Sequence, residues 1–399
     1  MSATTQLGQV AQVNIRLAEG GAAGIARALA DGLRTRGIRS PFVYGYGRRG
    51  GTSQLHDQYD ALKVTPAAIA WLNREAHLSR GQETRLHDPS AWRRMRELFE
   101  ASDVIHLHAI HSYFVNPYAF LELVGDAGKP VVWTMHDSWV LTGRCAIPGD
   151  CRGWETGCVA CPKLSAYPPA RVDRAASMWT TRRDAIARLA ERVPVVFAAI
   201  ADWVAEEAVS AGFTDVRVIR NSVDAGFWDS LEPRHPQAGG TVRSLFLNRD
   251  LRDPDKVDWT VLQEAAGVSG QTLTVVGDNP PGPIPGARLL PAEADRGKLA
   301  GIFQEHDRLI VMSTVDHFSL VIAEALCAGL EVLAIDSRAA RGFAGSPGVR
   351  IVPGARELIE ALQEPVNSAG GSAEEFRPQR MLDEYVAVYE DLTGVGGAA

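Results

Sequence analysis

The chain has 399 residues, of which 46% are hydrophobic and 22% charged, which suits two or three globular domains and excludes a largely disordered protein. Its formal net charge is −7, so bulk electrostatics do not favour nucleic acid as a partner. The apolar stretches fall short of the roughly 20 residues that span a bilayer, and the segment Met1 to Val10 lacks signal-peptide character. These features predict a cytoplasmic protein with reduced thiols.

The first unit in the chain is a strand, a glycine-rich loop and a helix. Apolar residues from Val10 to Leu17 indicate the strand, and apolar residues then recur at helical spacing until Gly37. The loop between them contains Gly20, Gly21 and Gly24. Open α/β sheets bind ligands at the carboxyl ends of their strands, where this loop would lie. The loop is therefore either a binding loop or a βα turn that needs glycine only to turn.

Two later strands are predicted to end in histidines at one edge of the same sheet. The first, from Asp103 to His108, is followed by His111, and both histidines are either acceptor-site residues or structural ones. The second strand delivers His136 and Asp137. Three roles stay open for Asp137: orienting His136, capping the following turn, or contacting an acceptor.

A glycine-rich loop at residues 143–165 contains four of the five cysteines within 17 positions. These are Cys145, Cys151, Cys158 and Cys161. The spacing favours a tetrahedral zinc site with four thiolate ligands, and two disulfides or free thiols are the alternatives. A zinc ion with four cysteine ligands has no open position for substrate, so its role would be structural. Cys327 stands apart on an apolar helix and is predicted to lie in the core.

The second half of the chain begins after a segment rich in proline, glycine and charge, from Asp229 to Gly240, that is typical of an interdomain linker. A strand at Ser244 to Leu247 then leads into a loop with three basic residues, Arg249, Arg252 and Lys256. These side chains either bind phosphate or are solvated loop charges.

The most informative stretch runs from Leu309 to Gly329 and predicts a buried strand, a tight turn and an apolar helix. Glu324 is the only charged residue of that helix, and a buried carboxylate is costly unless it is paired. Asp316 lies in the turn, where the helix start at Phe318 and Ser319 can offer backbone N–H groups to a phosphate. Alternatively, Asp316 caps the helix and Glu324 sits in an exposed groove.

The spacing of Asp316 and Glu324 resembles the paired-acid signature, usually Glu-x7-Glu, of retaining glycosyltransferases of family 4, which have the GT-B fold. In that family the first acid contacts hydroxyls of the donor sugar, and the second holds the ribose hydroxyls of the nucleotide. Asp316 is one methylene shorter than the usual residue, so the identity of the sugar is not carried over. The segment Thr134 to Leu164 resembles the exopolysaccharide or colanic-acid-type branch, which reads HDxWxxTGxC…C…GCxxCPxL.

The resemblance implies roles for several residues already named. His136 would contact the donor sugar near the reacting carbon, and the glycine loop would lie beside the donor's phosphates and the acceptor. Lys256, with Arg249 or Arg252, would bind the departing diphosphate. The implied reaction is transfer from a nucleotide sugar to a hydroxyl of a small molecule, glycan or lipid-linked acceptor, by front-face attack. It needs neither an organic cofactor nor a divalent metal at the reacting centre.

Alternating strands and helices in both halves predict an α/β protein with two Rossmann-like doubly wound lobes. The resemblance adds that the lobes face a cleft. The predicted domains are an acceptor lobe at residues 1–220, a nucleotide-sugar lobe at 221–380, and a crossover helix and tail at 381–399 that packs on the N-terminal lobe. Oligomeric state stays open, and membrane contact, at the inner face, is expected only for a lipid-linked acceptor. Alternative functions are a non-catalytic nucleotide-sugar-binding protein or another GT-B enzyme, such as a sugar-nucleotide epimerase or a phosphorylase.

Overall fold

A computed structural model describes residues 6–84, 86–233, 240–366 and 373–395. Residues 234–239 of the predicted linker and residues 396–399 of the predicted tail lie outside this described part. The chain divides into two compact units, the first made of Met1–Ile219 with Leu382–Ala399 and the second of Arg220–Met381. No helix in the described ranges combines the length and the apolar character needed to cross a bilayer.

The strands of the described chain are short and almost all lie between helices. In chain order they are β1 (Val10–Asn14), β2 (Phe42–Tyr44), β3 (Ala61–Lys63), β4 (Val104–Leu107), β5 (Val131–Met135), β6 (Val195–Ala199), β7 (Val216–Val218), β8 (Val242–Asp250), β9 (Gln271–Asp278), β10 (Ala287–Leu290), β11 (Arg308–Val311), β12 (Glu331–Ile335) and β13 (Val349–Val352).

The helices vary from a single turn to five turns. In chain order they are α1 (Gly21–Thr35), α2 (Ala67–Arg80), α3 (Pro89–Glu100), α4 (Pro117–Asp126), α5 (Ala175–Arg192), α6 (Asp202–Ser210), α7 (Ala225–Asp229), α8 (Trp259–Ala266), α9 (Arg296–Gln304), α10 (Leu320–Cys327), α11 (Arg338–Arg341), α12 (Ala355–Leu362) and α13 (Pro378–Thr393).

Each unit contains one parallel sheet whose strand order reverses direction once. The first sheet has the order β3-β2-β1-β4-β5-β6-β7, and the second has the order β10-β9-β8-β11-β12-β13. The direction of winding changes between β1 and β4 in the first sheet and between β8 and β11 in the second. Doubly wound sheets bind ligands at such switch points, beyond the carboxyl ends of the strands. The predicted α/β class with two doubly wound lobes is confirmed.

The second sheet is buried on both faces, which explains the continuous apolar run of its central strands. Leu309 and Ile310 are neighbours in β11 and therefore point to opposite faces. Leu309 packs with Ile322 of α10, whereas Ile310 packs with Leu358 of α12. Full burial of each such side chain contributes roughly 1.5–3 kcal/mol. This packing on both faces of the sheet holds the start of α10 close to the carboxyl end of β11.

Candidate functional site

The switch point of the second sheet carries an ion pair between the two loops that leave it. Lys256 follows β8 and Asp316 follows β11. The Lys256 Nζ lies 2.7 Å from the Asp316 Oδ1, and both side chains are partly exposed. A lysine held by one carboxylate at the mouth of a switch point can exchange that partner for a diphosphate.

The two arginines predicted to bind the diphosphate lie at the end of β8 and in the loop after it, which also contains Lys256. Arg249 is the penultimate residue of β8, and Arg252 follows two residues after the strand ends. Both side chains are exposed, and the Arg252 backbone N–H donates to the Asp250 Oδ1 at 3.1 Å. Both guanidinium groups are therefore accessible, and the geometry does not rank one above the other.

The turn between β11 and α10 is held by aromatic packing. Phe318 packs against Phe343 and Phe376, with ring centroids 5.1 and 6.2 Å away. Ser319 is the N-cap residue of α10, and its carbonyl accepts from the N–H of Ile322 at 3.1 Å. The alternative in which Asp316 caps this helix is therefore wrong.

Glu324 is buried on α10, with 7% of its surface exposed, so the exposed-groove alternative is also wrong. Its Oε1 lies 3.7 Å from the Arg296 Nη1, at the start of α9. Burial raises the pKa of Glu324 to about 7, because the lowering effect of Arg296 is smaller and Asp224 raises it further. A carboxyl near its pKa at neutral pH can respond to a ligand by changing its protonation.

The glycine loop lies beyond the carboxyl end of β1. Gly20, the N-cap of α1, has a φ of 96°, a conformation that favours glycine. The Gly24 N–H donates to the Gly20 carbonyl at 3.1 Å, and a β-carbon at Gly24 would meet no atom within 4 Å. Gly21 is the first residue of α1. The loop thus presents open backbone and a helix N-terminus at the first sheet's switch point.

His136 follows β5 and joins a chain of hydrogen bonds across the first sheet. Its Nε2 lies 2.8 Å from the His108 Nδ1, and the two nearly coplanar rings meet edge to edge, with centroids 5.1 Å apart. The His108 Nε2 lies 2.9 Å from the side-chain oxygen of Gln12 on β1. Both ring nitrogens of His108 are therefore bonded within the core.

A second chain of hydrogen-bonded polar groups lies two residues further from the carboxyl ends of β4 and β5. The His106 Nδ1 and Nε2 each lie 2.7 Å from a hydroxyl, that of Tyr389 on α13 and that of Thr134 on β5. Thr134 in turn bonds the hydroxyl of Tyr385 at 2.8 Å. The rings of His106 and His108 stack at 4.2 Å. Burial holds the pKa of both histidines well below 6.5, so both rings are neutral.

Asp137 bonds two different groups. Its Oδ1 accepts from the Trp139 N–H at 2.8 Å, which caps the turn Ser138–Val140. Its Oδ2 lies 2.8 Å from the His111 Nε2. Capping is thus one of its roles, and the bond to His111 is a second. His111 and Trp139 also line a small pocket that reaches His136.

The four loop cysteines do not form the predicted metal site. None of the four forms a disulfide bond, so that alternative is wrong as well. Across the described ranges, no group of three or more His, Cys, Asp or Glu side chains is placed to hold a metal ion. Burial raises the pKa of the Cys145 thiol, and that of Cys158 to about 11, so both are protonated thiols in the metal-free loop. The structure therefore gives no support to the predicted zinc site.

Two buried arginines bond backbone carbonyls in and beside this loop. Arg144 donates to the carbonyls of Lys163 and Ala166, each at 2.8 Å. Arg182 donates to the Trp139 carbonyl at 2.7 Å and lies over the Trp139 ring at 3.6 Å. Charge-assisted bonds from one guanidinium to several carbonyls tie distant parts of a loop together.

Several of these residues were not predicted from the sequence. They are Gln12, Thr134, Arg144, Arg182 and Arg296. The second chain of polar groups did leave a pattern in the sequence. Residues two apart in a strand share a face, and residues four apart in a helix share a side. His106 and His108, and Tyr385 and Tyr389, have these spacings. No local pattern marks Arg296, which approaches Glu324 only through the packing of α9.

Comparison with known proteins gives a consistent set of similarities. Residues 19–227 match the family described as Glycosyltransferase Family 4. The chain is 31% identical over 411 residues to the putative colanic acid biosynthesis glycosyl transferase WcaC of Escherichia coli K12, covering 96% of this chain and 100% of that protein.

Among solved structures, HepE of Anabaena, in complex with UDP, superposes with a TM-score of 0.61 at 15% identity, over 97% of this chain and 100% of that one. Sucrose-phosphate synthase of Thermosynechococcus elongatus superposes with a TM-score of 0.59 at 15% identity, over 98% of this chain and 100% of that one. Identities this low reflect the fold alone.

Proposed function

The chain belongs to glycosyltransferase family 4 and has the GT-B fold, and from this premise we propose a donor, an acceptor and a stereochemical course. The enzyme moves a sugar from a uridine-diphosphate sugar to a hydroxyl of a growing exopolysaccharide, with retention of anomeric configuration. The complex of HepE with UDP supports uridine diphosphate as the nucleotide of the donor. The similarity to WcaC, a putative colanic acid biosynthesis glycosyl transferase, supports a polysaccharide as the acceptor. The observation that carries the proposal is the Lys256–Asp316 pair at a switch point.

In this proposal the second unit holds the nucleotide. The Glu324 carboxylate accepts hydrogen bonds from the ribose hydroxyls, and its burial makes each such bond stronger than it would be in water. Lys256 leaves Asp316 for the diphosphate, and Asp316 then accepts from a hydroxyl of the sugar. Backbone N–H groups at Phe318 and Ser319 face the phosphates.

The proposed chemistry is a substitution on one face of the sugar. The bond from the anomeric carbon to the diphosphate oxygen breaks, and the acceptor oxygen bonds to that carbon on the same face. The acceptor's proton passes to the departing phosphate oxygen, so no enzyme nucleophile is needed. His136 orients the sugar near the reacting carbon, and the glycine loop and Asp137 lie on the acceptor side.

Basic side chains take the place of a metal ion in this scheme. Lys256 and either Arg249 or Arg252 neutralise the charge that grows on the departing diphosphate, which is the main electrostatic task of the reaction. Their positions beside the β8–β11 switch point support this assignment. We therefore place no divalent cation or organic cofactor in the proposed mechanism.

We place the enzyme in the cytoplasm, at the inner face of the membrane when its acceptor is lipid-linked. Helix α2 leaves Trp71 and Leu72 exposed, by 60% and 44%, and the turn with Arg48 and Arg49 packs beside it. Apolar side chains flanked by arginines suit an anionic lipid surface. Sedimentation with anionic but not with neutral vesicles, reduced by Trp71→Ser, is the expected result. Equal sedimentation with both would contradict it.

Turnover of a donor panel tests the proposed function. The protein is incubated with UDP-, GDP-, ADP- and TDP-sugars and with lipid-linked oligosaccharides from an exopolysaccharide-producing bacterium. We expect release of UDP together with a product heavier by one sugar, whose new linkage has the anomeric configuration of the donor. Nucleotide binding without release would favour a binding protein, and an inverted linkage would contradict the retaining course.

A further inference from the structure

Gln12 is a fully buried amide in the middle of β1, and the proposed reaction gives it no role. Its backbone is in register with His106 on the neighbouring strand β4, so it lies at the first sheet's switch point. Burying an amide costs free energy unless it is hydrogen-bonded. Here the side-chain oxygen of Gln12 bonds the His108 Nε2 at 2.9 Å, whereas the amide nitrogen makes no hydrogen bond within the described part of the chain.

The positions of the hydrogens in this chain follow from the chemistry of its groups. An amide oxygen only accepts, so the His108 Nε2 must carry the hydrogen that Gln12 receives. A neutral imidazole has one donor and one acceptor, so the His108 Nδ1 must accept. The His136 Nε2, which lies 2.8 Å away, must therefore donate.

This assignment of hydrogens requires a neutral His108, and the surroundings of its ring provide this. The ring of His106 stacks on that of His108, the ring of His136 meets it edge to edge, and the amide oxygen of Gln12 bonds its Nε2. The indole N–H of Trp133 donates to the His108 carbonyl at 3.2 Å. The nearby carboxylate of Asp137 is bonded to His111. Burial beside two other histidines disfavours the imidazolium form.

We propose that Gln12 and His108 are positioning residues that hold His136 as the Nε2–H tautomer, in which the Nδ1 is the acceptor nitrogen of the ring. The tautomer itself follows from the geometry of the first unit, whereas the contact with the sugar rests on the proposed function. In the other tautomer, Nδ1 is a hydrogen-bond donor instead of an acceptor, and Nε2 is an acceptor instead of a donor.

Nitrogen-15 NMR of the full chain, labelled at histidine, tests the tautomer without any substrate. Long-range proton–nitrogen correlations separate the two neutral tautomers, and the signals that disappear in His136→Asn identify His136. We expect the Nε2–H form in the wild type. Gln12→Met removes the amide acceptor at similar volume, so His136 should become a mixture of both forms.

Two further variants keep this test decisive. Gln9→Met is the matched control, because Gln9 is also buried but bonds Ser102, at 2.9 Å, outside the histidine chain. It should leave the His136 tautomer unchanged. If Gln12→Met does not fold, His108→Phe removes the acceptor of His136 while keeping a ring. An Nδ1–H form in the wild type, or an unchanged tautomer in folded Gln12→Met or His108→Phe, would overturn the proposal.

Kinetics test the consequence for the reaction with whichever donor the panel shows to turn over. We expect Gln12→Met to lower kcat on the order of tenfold and to leave the donor KM unchanged, because orientation matters at the reacting carbon. Gln9→Met should change neither. A shifted tautomer with an unchanged kcat would overturn the catalytic consequence. If no donor turns over, the proposed function fails, whereas the NMR result still decides the tautomer.

Discussion

At the scale of single residues, one buried carboxyl links the fold to the proposed donor site. Glu324 could be singled out from the sequence because it is the only charge on an apolar helix. Its partner Arg296 could not, because the 3.7 Å approach depends on how α9 packs in the second unit. The cysteine loop shows the opposite error. A spacing typical of metal ligands was predicted to hold zinc, whereas no group of metal ligands is found among the described residues, and Arg144 bonds carbonyl oxygens of that segment instead.

Glu324→Gln should flatten the pH dependence of stability. The folded-state pKa of about 7 lies above the ordinary value of 4.5, so between these pH values the folded protein keeps a proton that the unfolded chain releases. Stability therefore falls as pH rises through this window, and the loss is complete above it. The expected loss is on the order of 3 kcal/mol, absent in Glu324→Gln, and urea unfolding from pH 4.5 to 8 measures it.

Glu83 provides the comparison for this experiment, because it is a second buried carboxyl whose pKa burial raises to about 7. Glu83→Gln should remove its own share of the same pH dependence, and the double variant should be flatter than either single one. A Glu324→Gln variant that loses stability with pH as steeply as the wild type would contradict the assignment.

Asp316→Glu should change the choice of sugar without changing the affinity for the nucleotide. The added methylene moves the carboxylate further toward the sugar hydroxyls, whereas Glu324 and the diphosphate contacts stay the same. Competition between pairs of UDP-sugars measures the preference, and calorimetry with UDP alone serves as the control. An unchanged ranking of sugars would show that Asp316 does not contact the transferred sugar.

At the scale of elements, the C-terminal helix supplies part of the buried polar network. Tyr385 and Tyr389 lie four residues apart on α13 and bond Thr134 and His106 of the first sheet. The sequence predicted this crossover helix, within residues 381–399. It could not show that their hydroxyls meet β4 and β5, because residues 283 and 251 positions apart form these bonds.

Tyr389→Phe should destabilise the first unit by roughly 1–3 kcal/mol, because it leaves a buried His106 nitrogen without its partner. Chemical denaturation followed by fluorescence measures the loss. Glu390→Gln, at an exposed position of the same helix, should change the free energy of unfolding by less than about 0.5 kcal/mol. Equal effects of the two substitutions would contradict the role of this hydroxyl.

Elements with strong periodicity were predicted well, and short edge elements were not. The helix predicted to follow the glycine loop and to end at Gly37 is α1, which ends two residues earlier, at Thr35. The three-residue strand β3 lies at the edge of its sheet, is only partly buried and was missed in a region of weak signal. β10 is likewise a short edge strand with partly exposed residues. Such strands have too few buried positions to produce a clear alternating pattern.

At the scale of the whole molecule, the two units differ in how the chain forms them. The second unit is one continuous segment, Arg220–Met381, with its own sheet and apolar clusters, whereas the first needs a segment from the C-terminus. Residues 220–381 alone should therefore fold and bind UDP with an affinity comparable to the full chain's. Calorimetry and circular dichroism check this, and residues 1–219 should be less stable than the full chain. An unfolded 220–381 fragment would contradict it.

The most direct test of the central claim is the change in thermal midpoint with UDP-, GDP-, ADP- and TDP-sugars, for the wild type, Glu324→Ala and Lys256→Ala. A ligand that binds only the folded state raises the midpoint by mass action. We predict a rise with UDP-sugars that both substitutions abolish, because in the proposed function Glu324 holds the ribose and Lys256 the diphosphate. A rise that survives both substitutions, or no rise with any of the four classes, would contradict the assignment of the donor site to these residues.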